Sequence, residues 1–367
     1  MKLTVSKGEL ATKISMVSRV VPAKAVKPVL QGILFKVSDG RLTISATDLE
    51  TGFVTEVREF NADEDGAFVV EGKVVDEVVR SMPGDQVHIE YDGISATFSS
   101  QKSRFTLPTM NPKEFPEFSP DVTGEEITLS TTQVETMLER TMFSAAKEEI
   151  MRNLNGVLWE FDSDYLRFVA ADGFRLALAE TTNDSGFLGT FLLSLNSMKD
   201  FLSSIKSASS DELIVRTDGR RVGFTFDGTQ MVVRVVDAEF PNYKTVLPKD
   251  FRTRVVMNND LFIEVLKRVS IAAKLGSETV KLEIRDEVMR VSARSSDRGE
   301  AVEEVEVDVK DGEDLIIGFN PKFLLEACQH IDTESVELNF KDSNSPVQIN
   351  PVDVEGYLYI VMPVRLI

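Results

Sequence analysis

The amino-acid sequence predicts an α+β protein made of one domain repeated three times, each copy carrying two helices packed on antiparallel strands. Three observations lead there. A strand, cap and helix pattern starts afresh at three places, a hairpin follows each start at a matching offset, and a second strand and helix with a further hairpin completes each copy. A period of this length is too long for a solenoid repeat and suits a whole domain.

The first landmark alternates apolar and polar residues and then shifts to helical spacing. Lys2-Leu3-Thr4-Val5 leads to Leu10 and Ile14, Ile127-Thr128-Leu129 to Val134 and Leu138, and Val255-Val256-Met257 to Phe262 and Leu266. Between strand and helix stand Ser6, Ser130 and Asn258, residue types that cap helices by accepting a backbone N–H. The caps lie 124 and 128 residues apart.

The second landmark is a hairpin. Residues 32–38 and 41–46 flank Asp39-Gly40, a sequence that favours a two-residue turn. Residues 156–161 and 165–170 repeat it around Asp162-Ser163-Asp164, and residues 280–284 with 288–292 repeat it again. Leu42, Leu166 and Met289 correspond, at spacings of 124 and 123. The third landmark is an apolar triplet before a helix: Phe68-Val69-Val70 before Lys73 to Arg80, Phe191-Leu192-Leu193 before Lys199 to Lys206, and Leu315-Ile316-Ile317 before Lys322 to Leu325. Further hairpins follow at 86–98, 212–226 and 335–349. The Pro-containing stretches 108–120 and 241–248 punctuate the chain, which places domains at 1–122, 123–247 and 248–367.

Composition narrows the function. The 367 residues carry a net charge of −19, which by itself disfavours nucleic acid, because phosphates are bound by Lys and Arg. The distribution reverses that reading. The six helical segments (7–24, 73–82, 131–152, 197–207, 258–274 and 320–331) carry +3, 0, −1, +1, +1 and 0, together +4, which leaves −23 on the rest. The cations also recur in place. Lys73 and Arg80 are seven apart on one helix, as are Lys199 and Lys206, and Lys322 holds the matching place in the third copy.

Chemistry-bearing constellations are missing from the sequence. His88 and His330 lie in different copies, and no Cys/His cluster has zinc-ligand spacing. No Gly-rich phosphate loop and no Gly-x-Ser-x-Gly elbow is present. The expectation is a non-enzyme with no catalytic residue, metal or cofactor. The single Cys328 cannot form an internal disulfide and reads as a buried apolar residue. With no signal peptide and no apolar run of membrane-spanning length, the expected location is the cytoplasm. At this stage three functions compete: a DNA tether with basic helices, an acidic scaffold of repeated domains, and a hydrolase working in an interdomain cleft. The helix charge bias favours the first, and the hydrolase lacks a converging set of groups.

Specific stretches then carry a family resemblance: Met1-Lys2-Leu3-Thr4-Val5, Lys27-Pro28-Val29-Leu30-Gln31-Gly32, Ala46-Thr47-Asp48-Leu49-Glu50, Ser103-Arg104-Phe105-Thr106-Leu107, Ala171-Asp172-Gly173-Phe174-Arg175-Leu176, Glu239-Phe240-Pro241-Asn242-Tyr243, Gly318-Phe319-Asn320 and Val361-Met362-Pro363-Val364-Arg365-Leu366. They span the chain in order, and the sequence resembles the bacterial β sliding clamps, the processivity subunits of replicative DNA polymerase. The resemblance implies a head-to-tail homodimer closed into a ring, with helices lining the hole and sheets outside. It would encircle double-stranded DNA without reading sequence and tether the polymerase catalytic subunit, clamp-loader subunits and other proteins bearing a clamp-binding peptide, with no membrane involved.

The resemblance also bears on residues. Lys24 matches a DNA-contact position of the family, and with the recurring helix cations Lys73, Arg80, Lys199 and Lys206 and the loop residue Arg152 it makes up the expected DNA-facing set. The peptide cleft is expected from Leu154, Ala171, Gly173, Phe174, Arg175, Leu176, Pro241, Val246, Asn320, Phe323, Val347, Val361, Met362, Pro363, Val364, Arg365 and Leu366, with Arg365 as polar rim. Dimer closure is expected from Lys73, Phe105 and Leu107 on one side and Ile271, Ala272, Glu300, Glu303 and Glu304 on the other. The chain departs from the family pattern at several places. Ala171 stands where Thr is frequent, Phe174 where His or Tyr is, and Thr245 where a basic residue is; Ala272 is small for its position, and Ile367 is an extra residue at the cleft. The loop 147–152 carries the acidic pair Glu148-Glu149, and its Arg152 stands one place nearer the following Gly than is usual.

Overall fold

In a computed structural model, all residues are described except 274–278, 296–298, 313 and 367, together with the side chain of Asp311. Ile367 and the end of the helical segment at Lys274 therefore lie outside the described residues. Six α-helices are found among the described residues: α1 Lys7–Val17, α2 Gly72–Ser81, α3 Thr131–Thr141, α4 Leu195–Ile205, α5 Asn259–Ala273 and α6 Pro321–Gln329. None is long and apolar enough to cross a membrane.

The caps sit where the sequence places them. The N–H of Gln133 donates to Ser130 Oγ at 3.1 Å and that of Leu261 to Asn258 Oδ1 at 2.9 Å, each from the third helical position. Ser6 precedes α1 but its hydroxyl makes no cap bond. Glu9, in the first turn of α1, instead accepts the N–H groups of Arg58 and Glu59 at 2.9 and 2.8 Å. The Asp39-Gly40 turn has both residues at positive φ (51° and 73°), the geometry a tight hairpin turn demands.

The helices bury one face each. In α1 this is Leu10, Ile14, Met16 and Val17; in α2, Val75, Val78 and Val79; in α5, Phe262, Val265, Leu266 and Val269; in α6, Leu324, Ala327 and Cys328. Each Val, Leu, Ile, Met or Phe among them stabilises the fold by about 1.5–3 kcal/mol if fully withdrawn from water. Burial pushes the Cys328 thiol up to about 12, so it is an inert apolar packing group at neutral pH.

Among the described residues all strand pairings are antiparallel. The chain divides into two compact units rather than one per repeat: Met1–Glu135 with Lys199–Val235, and Thr136–Met198 with Val236–Ile367. The cause is strand pairing between repeats. In the first unit an eight-stranded sheet runs Glu126–Ser130, Glu212–Thr217, Arg221–Phe226, Thr229–Arg234, Thr51–Val57, Arg41–Thr47, Gly32–Ser38, Gly66–Glu71. Its fourth and fifth strands come from the second and first repeats, with Met231 opposite Phe53. Thr55 and Thr229, both buried, share a hydroxyl hydrogen bond of 2.9 Å across that seam. A five-stranded sheet completes the unit and ends on strand Ser103–Pro108.

The second unit holds a nine-stranded sheet in which Arg175–Thr182 of the second repeat pairs with Tyr357–Val361 of the third, Leu176 opposite Ile360. Its four-stranded sheet runs Gly299–Glu306, Val288–Ser295, Val280–Arg285, Leu315–Phe319, so Gly299–Glu306 is an edge. The segment leading into the third repeat is fastened to this unit. Lys244 Nζ lies 2.5 Å from Glu160, and the Tyr243 hydroxyl donates to the same carboxylate. Burial works against ionising Glu160, but these two donors outweigh it and hold the carboxyl below its usual range.

Candidate functional site

The expected cleft residues all belong to the second unit and gather around the seam between Arg175–Thr182 and Tyr357–Val361. The seam starts at a turn. Asp172 Oδ1 accepts the N–H groups of Phe174 and Arg175 at 2.9 and 3.1 Å, and Gly173 between them has φ +89°, which favours glycine. The terminal run is fastened to that turn at one end, where Met362 N donates to Phe174 O at 2.9 Å. Further along, Val364 N donates to Gly318 O at 2.8 Å. A side chain at Gly318 would collide with Leu366 and with the Val364 carbonyl, each 2.7 Å from a built Cβ, so glycine there lets the run lie flat on the sheet edge.

The result is an apolar floor with an apolar rim. Val347, Val361, Leu176 and Ala171 are buried, and Leu154 packs against the cluster of Leu158, Val169, Leu178, Leu192, Tyr243 and Ile360. Phe174 is 62 % exposed, and Met362, Val364, Leu366, Val246, Pro241 and Arg365 are also exposed, with Pro363 and Phe323 half-buried. The rings of Phe174 and Phe323 lie 6.5 Å apart and nearly parallel. Thr245 stays exposed and turns its hydroxyl to Asn242 O. Exposed apolar side chains in this density mark a contact surface.

Two expected residues are structural. Asn320 accepts the Lys322 N–H at 2.9 Å as the cap of α6. Arg175 lies beneath the cleft surface. It is buried, donates to Asp172 Oδ2 (3.0 Å), Phe143 O (2.8 Å), Tyr359 Oη (3.2 Å) and Glu326, and lies 4.6 Å from the centre of the Phe323 ring. Burial works against its charge, and the Tyr359 and Glu326 oxygens more than compensate, so it remains a cation. Sequence reading missed Glu326, Tyr359, Phe143 and His330, the last stacked on Phe143 at 3.7 Å and bonded through Nδ1 to Glu326 O at 2.8 Å. Nothing local marks Glu326 as anything but a surface acid on a helix.

The expected DNA-facing cations are all exposed. Lys24, Lys73, Arg80, Lys199 and Lys206 belong to the first unit and Arg152 to the second. Arg80 is held by Asp76 at 2.9 Å and donates to Ser15 Oγ at 2.8 Å, which weakens it as a phosphate partner. Within α4, burial pushes Asp200 up to about 6, with Arg19 and Lys199 pulling it down and Asp48 adding to the rise. No group of three or more His, Cys, Asp or Glu among the described residues could hold a metal ion.

The expected closure residues fall on two sheet edges, apart from Lys73 in α2 and Ile271 and Ala272 in α5. Phe105 (42 % exposed) and Leu107 lie on the edge strand of the five-stranded sheet; Glu300, Glu303 and Glu304 lie on the edge strand Gly299–Glu306. Ile271 is 58 % exposed, but Ala272 is only 6 % exposed and packs inside its own unit, since successive helical residues point about 100° apart. Glu303 is engaged by Arg268 through two bonds of 2.7 Å, which lowers its pKa and leaves Glu300 and Glu304 as the outward charges.

Comparison with known proteins gives three family matches along the chain: the N-terminal domain of the DNA polymerase III beta subunit over residues 1–119, its central domain over 128–242 and its C-terminal domain over 244–365. A curated relative from Caulobacter vibrioides, named beta sliding clamp, is 32 % identical over the whole of both chains. The solved beta subunit of DNA polymerase III from Thermotoga maritima is 47 % identical, covers both chains fully and superposes with a TM-score of 0.96. A sliding clamp from Pseudomonas aeruginosa solved with griselimycin bound is 27 % identical with full coverage and a TM-score of 0.94.

Proposed function

This chain belongs to the DNA polymerase III beta subunit family, and from that membership we propose how it works as a DNA sliding clamp. The family is a processivity factor and not an enzyme, in keeping with the sequence expectation. Two copies close head to tail, each contributing three clamp domains (1–122, 123–247 and 248–367), and the ring surrounds duplex DNA. Lys24, Lys73, Lys199, Lys206 and, more weakly, Arg80 and Arg152 face the phosphates. Such contacts position the duplex without reading bases. Solvated cations at a distance hold each phosphate loosely, so the ring slides, and retention comes from topology. The acidic remainder of the chain repels nucleic acid from the outer surface.

Closure joins strand Ser103–Pro108 of one copy to strand Gly299–Glu306 of the other. The observation that carries the ring is that both are edges of their sheets, lined by exposed Phe105 and, beside the second, exposed Ile271. Unsatisfied edge N–H and C=O groups beside exposed apolar side chains are a template for pairing with another chain. Lys73 opposite Glu300 and Glu304 adds charge complementarity. Partners dock in the cleft: a short apolar peptide of the polymerase catalytic subunit, or of a clamp-loader subunit, lays its side chains against Phe174, Phe323, Met362 and Val246. A rigid Arg175 network below keeps the pocket open in the absence of peptide.

Sedimentation and single-particle imaging of the purified chain test this reading. Expected is a particle of twice the 40.9 kDa chain mass with a central hole. A monomer without a hole at micromolar concentration would overturn it.

A further inference from the structure

Beside the cleft stands a loop whose two apolar residues, unlike its Arg152, have no role in the proposed function. Residues 147–152 read Lys-Glu-Glu-Ile-Met-Arg, and all six are exposed. Ile150 is 90 % exposed and Met151 40 %. An apolar side chain at the tip of a loose loop can fold back onto the protein. Here the backbone prevents it. Met151 N donates to Glu148 O at 3.0 Å, and the Met151 carbonyl accepts both Leu154 N and Asn155 N at 2.8 Å. The base is closed by Ala146 N, which donates to Leu154 O and Ala171 O at 3.0 and 3.2 Å, and by Asn155 Nδ2, which donates to Ala146 O at 2.8 Å. The loop thus holds Ile150 and Met151 in water on a preset turn. Two of the residues that fasten it, Leu154 and Ala171, belong to the expected cleft.

The loop holds no excess of cations for phosphate, since Lys147 and Arg152 are matched by Glu148 and Glu149. The two carboxylates directly precede the apolar pair, so a chain that lays an apolar residue on Ile150 can set a cation against them.

We propose that Ile150 and Met151 form an apolar lip of the cleft, which receives a hydrophobic residue of the docking peptide lying outside the cleft-bound stretch, with a Lys or Arg of that peptide set against Glu148 and Glu149. The proposal rests on the cleft reading and extends it from a short apolar motif to a longer, basic-flanked one. Continuity supplies the reach, since the lip is bonded directly to cleft residues, and the rigid turn means that little order must be gained on binding.

The test is fluorescence-anisotropy titration of the full chain with three labelled peptides: Leu-Ala-Leu-Phe, and the same peptide extended by Gly-Ser-Leu-Lys at one end or by Lys-Leu-Ser-Gly at the other. One extended peptide is expected to bind more tightly than the short one. Ile150→Asp should weaken that peptide roughly ten-fold, the scale set by burying one exposed aliphatic side chain, and leave the short one unchanged. Glu149→Lys should weaken it too, and changing the peptide Lys to Glu should restore part of the loss. Ile94→Asp, at an 81 % exposed residue of the first unit, should change nothing. Equal affinities of all three peptides, or insensitivity of the extended peptides to Ile150→Asp, overturns the lip while leaving the cleft. Failure of every peptide to bind wild-type protein overturns both. Loss of DNA retention in Ile150→Asp with unchanged peptide affinity assigns the loop to the DNA path and also overturns the lip.

Discussion

Replacing Arg175 by Met tests whether the cleft is held open by a buried ion network. The substitution keeps an apolar stem and removes a guanidinium whose side chain is 3 % exposed. It leaves the carboxylates of Asp172 and Glu326, 16 % and 24 % exposed, without their cation, and Phe143 O and Tyr359 Oη without a donor. Removing one partner of a buried pair costs about 3–5 kcal/mol. Both carboxylates keep partial access to water, so the lower end, about 3 kcal/mol, is expected. For a unit of this size that corresponds to a fall of roughly 6–12 °C in the melting temperature of its transition. A chain of two compact units need not unfold in one step, so calorimetry should be combined with hydrogen exchange on strands Arg175–Thr182 and Tyr357–Val361. Peptide affinity should drop more than stability requires at temperatures where the variant is folded, because Phe323 loses the cation beneath it. The double variant Arg175→Met/Glu326→Met should recover at least a third of the lost stability, since no orphaned charge remains at that contact. The reasoning is refuted if Arg175→Met melts within 2 °C of wild type, a threshold of about 1 kcal/mol, or if the double variant is no more stable than the single one.

Three further outcomes are expected. Met362→Ala, or deletion from Met362 onward, should weaken a short apolar peptide by about ten-fold or more while the dimer mass stays unchanged; unaltered affinity would remove Met362 from the cleft. Phe105→Asp puts a charge on an exposed sheet edge and should convert the dimer to monomer in sedimentation without lowering the melting temperature; an intact dimer would mean that closure uses another surface. Asp200→Asn should stabilise the first unit at pH 8 by about 1–3 kcal/mol, the upper value being full conversion of the rise from 3.8 to about 6 before allowance for its partial exposure. The folded protein binds this proton more tightly than the unfolded chain. The stability contributed by the group therefore falls as pH rises from about 4 to about 6 and is constant above, and that slope should vanish in the variant; an unchanged slope would show that the carboxyl is well solvated.

The local part of the fold was readable from residues alone. Strand, cap and helix are short-range patterns, and Ser130 and Asn258 cap the helices they precede. The pairing of strand Thr229–Arg234 with Thr51–Val57, and of Arg175–Thr182 with Tyr357–Val361, was hidden, because partners more than 170 residues apart leave no periodic trace. That hidden pairing is why three repeats form two units. At the candidate site, the expected apolar residues gather at one seam, but the contacts of the polar ones were not legible. Arg175 and Asn320 read only as cleft positions; one is a buried tie and the other a helix cap. Glu303 and Ala272 both read as interface residues; Glu303 is bound to Arg268 across 35 positions of its own chain, and Ala272 is buried within its own unit. Each of these depends on which way a side chain points, which spacing along a chain does not report.

The measurement that bears most directly on encirclement is the lifetime of the loaded protein on a nicked circular duplex before and after the circle is cut. A ring linked to DNA by topology stays on the intact circle through gel filtration at salt concentrations that abolish ordinary phosphate contacts, and runs off the ends once the duplex is linear. Equal loss from circular and linear DNA, or equal retention on both, would contradict the account.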